Sequence, residues 1–213
     1  YGLSLLHIVR HNPGAVTVHF GGRQGAQIRR HYRALQFEAV GADGSVTLKQ
    51  LLPEIGPECR SFTFSNPTTG LLFATQFTQP ALCLMERAAF EDMRARGLVC
   101  QGAAFAGHSL GEYAALAAVG DVLPLETLLD VVFYRGLTMQ AAVQRDPVTG
   151  RSDYGMVAVN PSRVAADLTD QYLRKLVAAV QQACGEASLL EIVNYNVENQ
   201  QYVLAGDLRA LES

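Results

Sequence analysis

The sequence is poor in charge. Asp, Glu, Lys and Arg make up 17% of its 213 residues, against roughly 25% in an ordinary soluble domain. Hydrophobic residues make up 49%. That balance excludes a disordered chain, which carries many charges and few apolar groups. Basic runs are missing, and 17 basic against 20 acidic residues leave a net charge of −3. Non-specific nucleic-acid binding has no electrostatic support, so no nucleic-acid partner is expected. No apolar run approaches the roughly 18–20 residues of a bilayer-spanning helix, so no membrane partner is expected either. Cysteine is scarce: Cys59, Cys83, Cys100 and Cys184 are scattered, with no Cys-x-x-Cys pair. The spacing supports no metal site, and buried free thiols in a reducing cytosol are expected in place of disulfides. Repeats and low-complexity tracts are absent. So is an initiating Met: the chain opens on Tyr1, and Tyr1–Arg10 is not built like a signal peptide. The expectation is a piece of a longer chain, still large enough for one large core or two small ones.

What is present divides into three zones. Residues 1–70 are uneven, with a helix-like start at Leu3, Leu6 and Ile8 and β-like runs at Ala15–Phe20, Leu35–Val40 and Ser61–Phe64. Asn12-Pro13-Gly14, Gly21-Gly22, Gly41-Ala42-Asp43-Gly44 and Asn66-Pro67 are turn chemistry. The basic cluster Arg23, Arg29, Arg30, His31 and Arg33 reads as the solvated face of a short helix, with a phosphate contact as the alternative. Residues 71–150 read α/β. Pro80 suits a first helical turn, Leu82, Met85, Ala89 and Met93 follow at helical spacing, and Gly97 closes the segment. Gly102–Ala106 reads as a strand running into a helix that ends near Gly120. A further helix spans Pro124 to Val143, with Leu128, Val131, Val132, Arg135 and Met139 on one face. After the turn-rich break Asp146–Gly150, residues 151–213 read strand Gly155–Asn160, helix Ser162–Cys184, strands Leu189–Asn194 and Gln201–Ala205, and a helix start at Asp207. That order is a ferredoxin-like unit without its last strand.

The strongest chemical signal is Gly107-His108-Ser109-Leu110-Gly111, between the expected strand and helix. A serine on a sharp strand-to-helix turn is exposed, and flanking glycines permit the tight backbone. The helix start behind it offers N–H groups where an oxyanion would form, Leu110 N–H first among them. A serine nucleophile also needs a base. The five histidines are His7, His11, His19, His31 and His108, and none follows Ser109. Either one of the first four folds back, or the base lies outside this chain; the second is favoured. His108 is expected to pack or orient rather than act as base. Arg135, in Tyr134-Arg135-Gly136, stands on an otherwise apolar helix. It meets either a structural carboxylate or the carboxylate of a substrate, which a planar guanidinium grips with two bonds.

Gly107 to Leu116, with Tyr134-Arg135-Gly136 and Met139-Gln140, resembles the malonyl-CoA:acyl carrier protein transacylase family. Ala74–Leu82, Tyr154–Pro161, Asn194–Tyr202 and Val16–Gly22 resemble one branch of it, the malonyl/palmitoyl transferase domain in the β subunit of fungal type I fatty acid synthase. The resemblance covers essentially the whole chain. It implies an α/β fold, an α/β-hydrolase-like core with a ferredoxin-like small subdomain, truncated at both ends. Residues 1–70 would be the N-terminal part of the core with a fungal-type insertion, 71–150 the core with the nucleophile, and 151–213 the incomplete small subdomain. It implies acyl transfer through Ser109, with Leu110 N–H as an oxyanion donor and Arg135 on the malonyl carboxylate. Gln79, His108, Met139, Asn194 and Asn196 would line the substrate, although a structural turn role fits the two asparagines equally well. Coenzyme A thioesters and the phosphopantetheine of acyl carrier protein would be substrates, with no bound cofactor. Acyl carrier protein, the other synthase domains and the α subunit would be partners, in the cytoplasm. The family's Gly-Gln-Gly-Ser-Gln loop would precede Tyr1 and its Pro-Phe-His histidine would follow Ser213, so the piece alone is expected to be inactive. The competing readings are a serine esterase or thioesterase, a purely structural piece of a large complex, and a specialised synthase feeding a polyketide pathway.

Overall fold

The computed structural model describes residues 1–40, 43–119, 122–146, 151–165, 168–185 and 188–213. The chain divides into two compact units, Tyr1–Ala142 and Val143–Ser213.

The first unit opens with helix α1 (Leu5–His11), capped by the Ser4 hydroxyl, which accepts the His7 N–H at 3.3 Å. Asn12 closes it in the left-handed region, and its side chain ties the turn to Thr69 and Leu72. Strand β1 (Ala15–His19) follows, then the basic helix α2 (Gly22–Ala34) and the hairpin β2 (Gln36–Val40) and β3 (Val46–Gln50). Strand β4 (Ser61–Ser65) pairs antiparallel with β1, and among the described residues β2 pairs only with β3. β3 carries no sign in the sequence because all five of its residues are exposed, so no alternation marks it. The turn expected at Gly41-Ala42 lies outside the described residues. A 3-10 turn at Leu71–Phe73 leads into helix α3 (Thr75–Ala95), followed by α4 (Leu110–Val119) and α5 (Leu125–Ala142).

Three expectations for this unit change. Helix α3 begins at Thr75, so Pro80 lies inside it rather than in its first turn. The N-cap position is Ala74, which has no side-chain acceptor, so the start is invisible to capping rules. Its buried face is Gln76, Phe77, Gln79, Pro80 and Cys83, whereas Leu82, Met85 and Met93 are exposed. The run Gly102–Ala106 forms no strand: nothing among the described residues pairs with it, and a strand exists only through its ladder. Phe105 instead packs its ring on Phe90. The main core gathers Ile8, Val18, Tyr32, Leu71, Phe77 and Phe133, with Phe64, Phe77 and Phe133 in tilted and edge-to-face ring contacts. A smaller core of Cys83, Ala117, Leu128 and Val132 sits between α3, α4 and α5. The expected helix end near Gly120 lies outside the described residues. All four cysteines are free, but only Cys83 is buried.

The second unit holds strands β5 (Tyr154–Val159), β6 (Leu190–Val197) and β7 (Gln201–Asp207) in the antiparallel order β5-β7-β6. The expected helix Ser162–Cys184 is two helices, α6 (Pro161–Val164) and α7 (Asp170–Cys184), the second capped by the Thr169 hydroxyl. A short α8 (Leu208–Leu211) ends the chain. Leu173 and Val177 of α7 pack on Leu190 and Tyr202 to form a separate core. The break expected at Pro147–Gly150 lies outside the described residues. Among the described residues, no helix is long and apolar enough to cross a membrane.

Candidate active site

The site is built on the first turn of α4. Ser109 has φ +55°, the left-handed region that side chains with a Cβ occupy at a cost of roughly 1–2 kcal/mol. The strain is held by two backbone bonds, Gly111 N–H to His108 C=O at 2.9 Å and Glu112 N–H to Ser109 C=O at 3.3 Å. The two glycines of the motif are not equivalent. A Cβ on Gly107 would stand 2.1 Å from the Gly111 backbone, whereas one on Gly111 would meet nothing within 4 Å. Gly107 alone is needed for the close approach. Leu110 opens α4, and an opening residue's N–H has no acceptor inside its own helix. Ser109 and His108 are exposed.

Helix α5 is carried against the start of α3 by Gly136. A Cβ there would lie 2.5 Å from Gln76 Cα, so only glycine lets the two backbones come this close. The approach brings Arg135, half-buried, to two partners. One guanidinium N–H donates to Gln79 Oε1 at 2.7 Å, and another donates to Ser109 Oγ at 2.9 Å. Gln79 in turn donates through Nε2 to Met139 Sδ at 3.2 Å. Tyr113, one turn into α4, places its ring 5.6 Å from Arg135 Cζ. Beneath them Cys83 is fully buried, and desolvation, reinforced by Glu86 and opposed by Arg135, pushes its thiol up to about 11. It is not a nucleophile at neutral pH.

Four of the expected residues therefore form one hydrogen-bonded chain, Ser109–Arg135–Gln79–Met139, drawn from α3, the α4 turn and α5. Among the described residues, neither hydrogen-bond partner of Arg135 is a carboxylate. Three of the histidines are engaged elsewhere: His7 packs on His11 and His31 on Tyr1. Asn194 and Asn196 stand on β6 of the second unit, Asn194 opposite Val203 and Asn196 at an irregularity of the ladder. Tyr113 and Cys83 were not singled out from the sequence. The only mark on Tyr113 in the sequence is that it lies in the stretch Gly107 to Leu116 that carries the family resemblance. Among the described residues, no group of His, Cys, Asp and Glu could hold a metal ion.

The acyl transferase domain model matches residues 1–213. The fatty acid synthase subunit beta of Schizosaccharomyces pombe is 57% identical over 213 residues, covering 100% of this chain and 10% of that protein. The corresponding subunit of Saccharomyces cerevisiae is 55% identical over 213 residues, with the same 100% and 10% coverage. Among solved structures, an acyl carrier protein S-malonyltransferase from Vibrio cholerae covers 66% of this chain and 40% of its own, with a TM-score of 0.50 and 32% identity. The chain spans about a tenth of the length of the curated relatives it matches. Matched from its first residue to its last, and carrying an exposed left-handed serine bonded to a half-buried arginine, the chain belongs to the acyl transferase domain family.

Proposed function

We propose that this chain moves malonyl groups, and palmitoyl groups as well, between coenzyme A and the phosphopantetheine of an acyl carrier protein, as the acyltransferase part of a fatty acid synthase β subunit. The observation that carries it is Arg135, whose guanidinium lies between Ser109 Oγ and an uncharged amide. A cation beside a nucleophile, with no carboxylate among the described residues bonded to it, is free to take the carboxylate of an incoming malonyl group.

Ser109 Oγ attacks the thioester carbonyl and loses its proton to a base, and coenzyme A leaves as the thiol. The carrier's thiol then attacks the acyl-serine ester, and Oγ recovers its proton. In the tetrahedral intermediate the negative oxygen is held by Leu110 N–H, which opens α4 and so has no acceptor inside its own helix. The family resemblance assigns the base to a Pro-Phe-His histidine, and none of the five histidines here stands in such a segment. His108 belongs to the substrate surface on the same resemblance.

The order β5-β7-β6, with helices between β5 and β6, supports three strands of a ferredoxin-like subdomain in residues 151–213. The left-handed serine ahead of a helix supports a hydrolase-like core in residues 71–150, preceded by the insertion-bearing part in 1–70. Partners in this reading are the carrier protein and an α subunit, in the cytoplasm.

The test is acyl loading in the intact synthase. Ser109→Ala should abolish labelling by radioactive malonyl-CoA, and retained covalent label would sink the assignment. Arg135→Ala should lower kcat/KM for malonyl-CoA about thirtyfold, the equivalent of the ~2 kcal/mol at the low end for one partner of a desolvated charge pair. Palmitoyl-CoA has no carboxylate to lose and should fall far less. An equal fall for both substrates would make Arg135 structural. A serine hydrolase would instead release free malonate faster than it loads carrier protein.

A further inference from the structure

Gln79 is 6% exposed, and its amide stands between two groups of fixed hydrogen-bonding sense. A guanidinium has donors and no acceptor, while a thioether accepts and has nothing to donate. With Arg135 on one side and Met139 Sδ on the other, the amide has a single orientation that satisfies both: Oε1 toward Arg135 and Nε2 toward the sulfur. Turned the other way, it would face N–H against N–H and leave its oxygen on a sulfur that cannot donate.

The consequence lies in what happens at Arg135. One of its terminal nitrogens is bonded to Gln79 and the other to Ser109 Oγ. Once Ser109 carries an acyl group its oxygen is an ester, a poorer acceptor, and that second nitrogen is released toward the malonyl carboxylate. The first must stay anchored for the fork to keep its aim, and the anchor holds only if Gln79 keeps its place without help from Ser109. We propose that Met139 and Gln79 are positioning residues for malonyl selection: the thioether locks the buried amide, and the amide is the fixed pivot on which Arg135 turns from the serine to the substrate. This rests on Arg135 gripping the malonyl carboxylate. A palmitoyl group does not use that grip, so the pivot acts on the ratio of the two substrates.

The experiment measures kcat/KM for malonyl-CoA and palmitoyl-CoA in the intact synthase. Met139→Leu conserves volume and removes the acceptor. The malonyl-to-palmitoyl ratio should fall about three- to tenfold, and Met139→Gln, which restores an accepting oxygen, should bring it back to within about twofold of wild type. In a Gln79→Leu background the further change Met139→Leu should leave the ratio where it is, because the sulfur acts only through the amide. Overturning results are a fall of both substrates by one factor, a Met139→Gln ratio no better than Met139→Leu, or the same Met139→Leu effect with and without Gln79. If Gln79→Leu does not fold, the comparison of Met139→Leu with Met139→Gln decides alone. Arg135→Ala, run alongside, separates two failures. If it leaves the ratio unchanged, the carboxylate grip falls and the pivot with it. If it lowers the ratio while Met139→Leu does not, the grip stands and the pivot alone is wrong.

Discussion

At the scale of single residues, the site depends on positions that tolerate no substitute and on one that is strained on purpose. Ser109 sits at φ +55°. Ser109→Gly relieves that strain, so it should be about 1 kcal/mol more stable than Ser109→Ala in thermal melts. Both variants should lose all acyl loading. Gly107→Ala forces a Cβ to 2.1 Å from backbone and should cost about 1–3 kcal/mol, with loading lost. Gly111→Ala enters open space at a helical position and should be neutral or stabilising by a few tenths of a kcal/mol. Equal damage from the two glycine variants would refute the asymmetry. Cys83 carries a pH prediction. Its folded-state pKa of about 11 lies above the ordinary thiol value of 9.0, so the protonated form favours the fold. Stability from this group is full below about pH 9 and is lost as pH rises to about 11. Tyr1, pushed up to about 12 by burial and by Asp130, acts in the same direction at higher pH. Melting temperatures measured from pH 8 to 11 should therefore fall, and Cys83→Ala should flatten the first part of the slope. Ser109 and Arg135 were legible in the sequence because each stands in a short local pattern. The partners of Arg135 were not: Gln79 is 56 positions away from it, and Met139 is 60 positions from Gln79.

Among elements, the decisive contact is between α3 and α5. Gly136 stands next to Arg135, and its missing side chain admits the backbone at Gln76, one turn before Gln79. Gly136→Ala should push the helices apart, costing about 1–3 kcal/mol. Because Arg135 rides on the same turn, malonyl loading should drop more than palmitoyl loading. A variant with wild-type melting and an unchanged substrate ratio would show that the approach is not needed. Arg87 makes a comparable tie by donating to Ala117 C=O in the last turn of α4, where a cation also suits the helix end. Helices α1, α4 and α5 were readable from apolar spacing and the glycine motif, and α7 only as the later part of a longer expected helix. The start of α3 was not, since Ala74 cannot cap and a buried proline inside a helix imitates a beginning. The run before Ser109 has the composition of a strand and forms none, because pairing is a property of two segments and composition of one.

On the scale of the molecule, two units carry two kinds of core. In the first, aromatic rings from β4, α3 and α5 meet at Phe64, Phe77 and Phe133. In the second, α7 lays Leu173 and Val177 on the sheet face that presents Leu190 and Tyr202. Leu173→Ala should cost about 2–5 kcal/mol and speed hydrogen exchange across β6 and β7. Unchanged exchange there would mean that α7 is not what holds the sheet. The sequence by itself determined that this is an α/β chain with a serine at the centre of a Gly-x-Ser-x-Gly turn and a lone arginine on an apolar helix, because periodicity, glycine placement and charge are local quantities. It also carried the family resemblance, which rests on the same short patterns. Only the tertiary structure decided which group Arg135 touches, which glycine closes the turn, and why Met139 stands beside Gln79. Those are distances between segments far apart in the chain, set by how closely three helices pack.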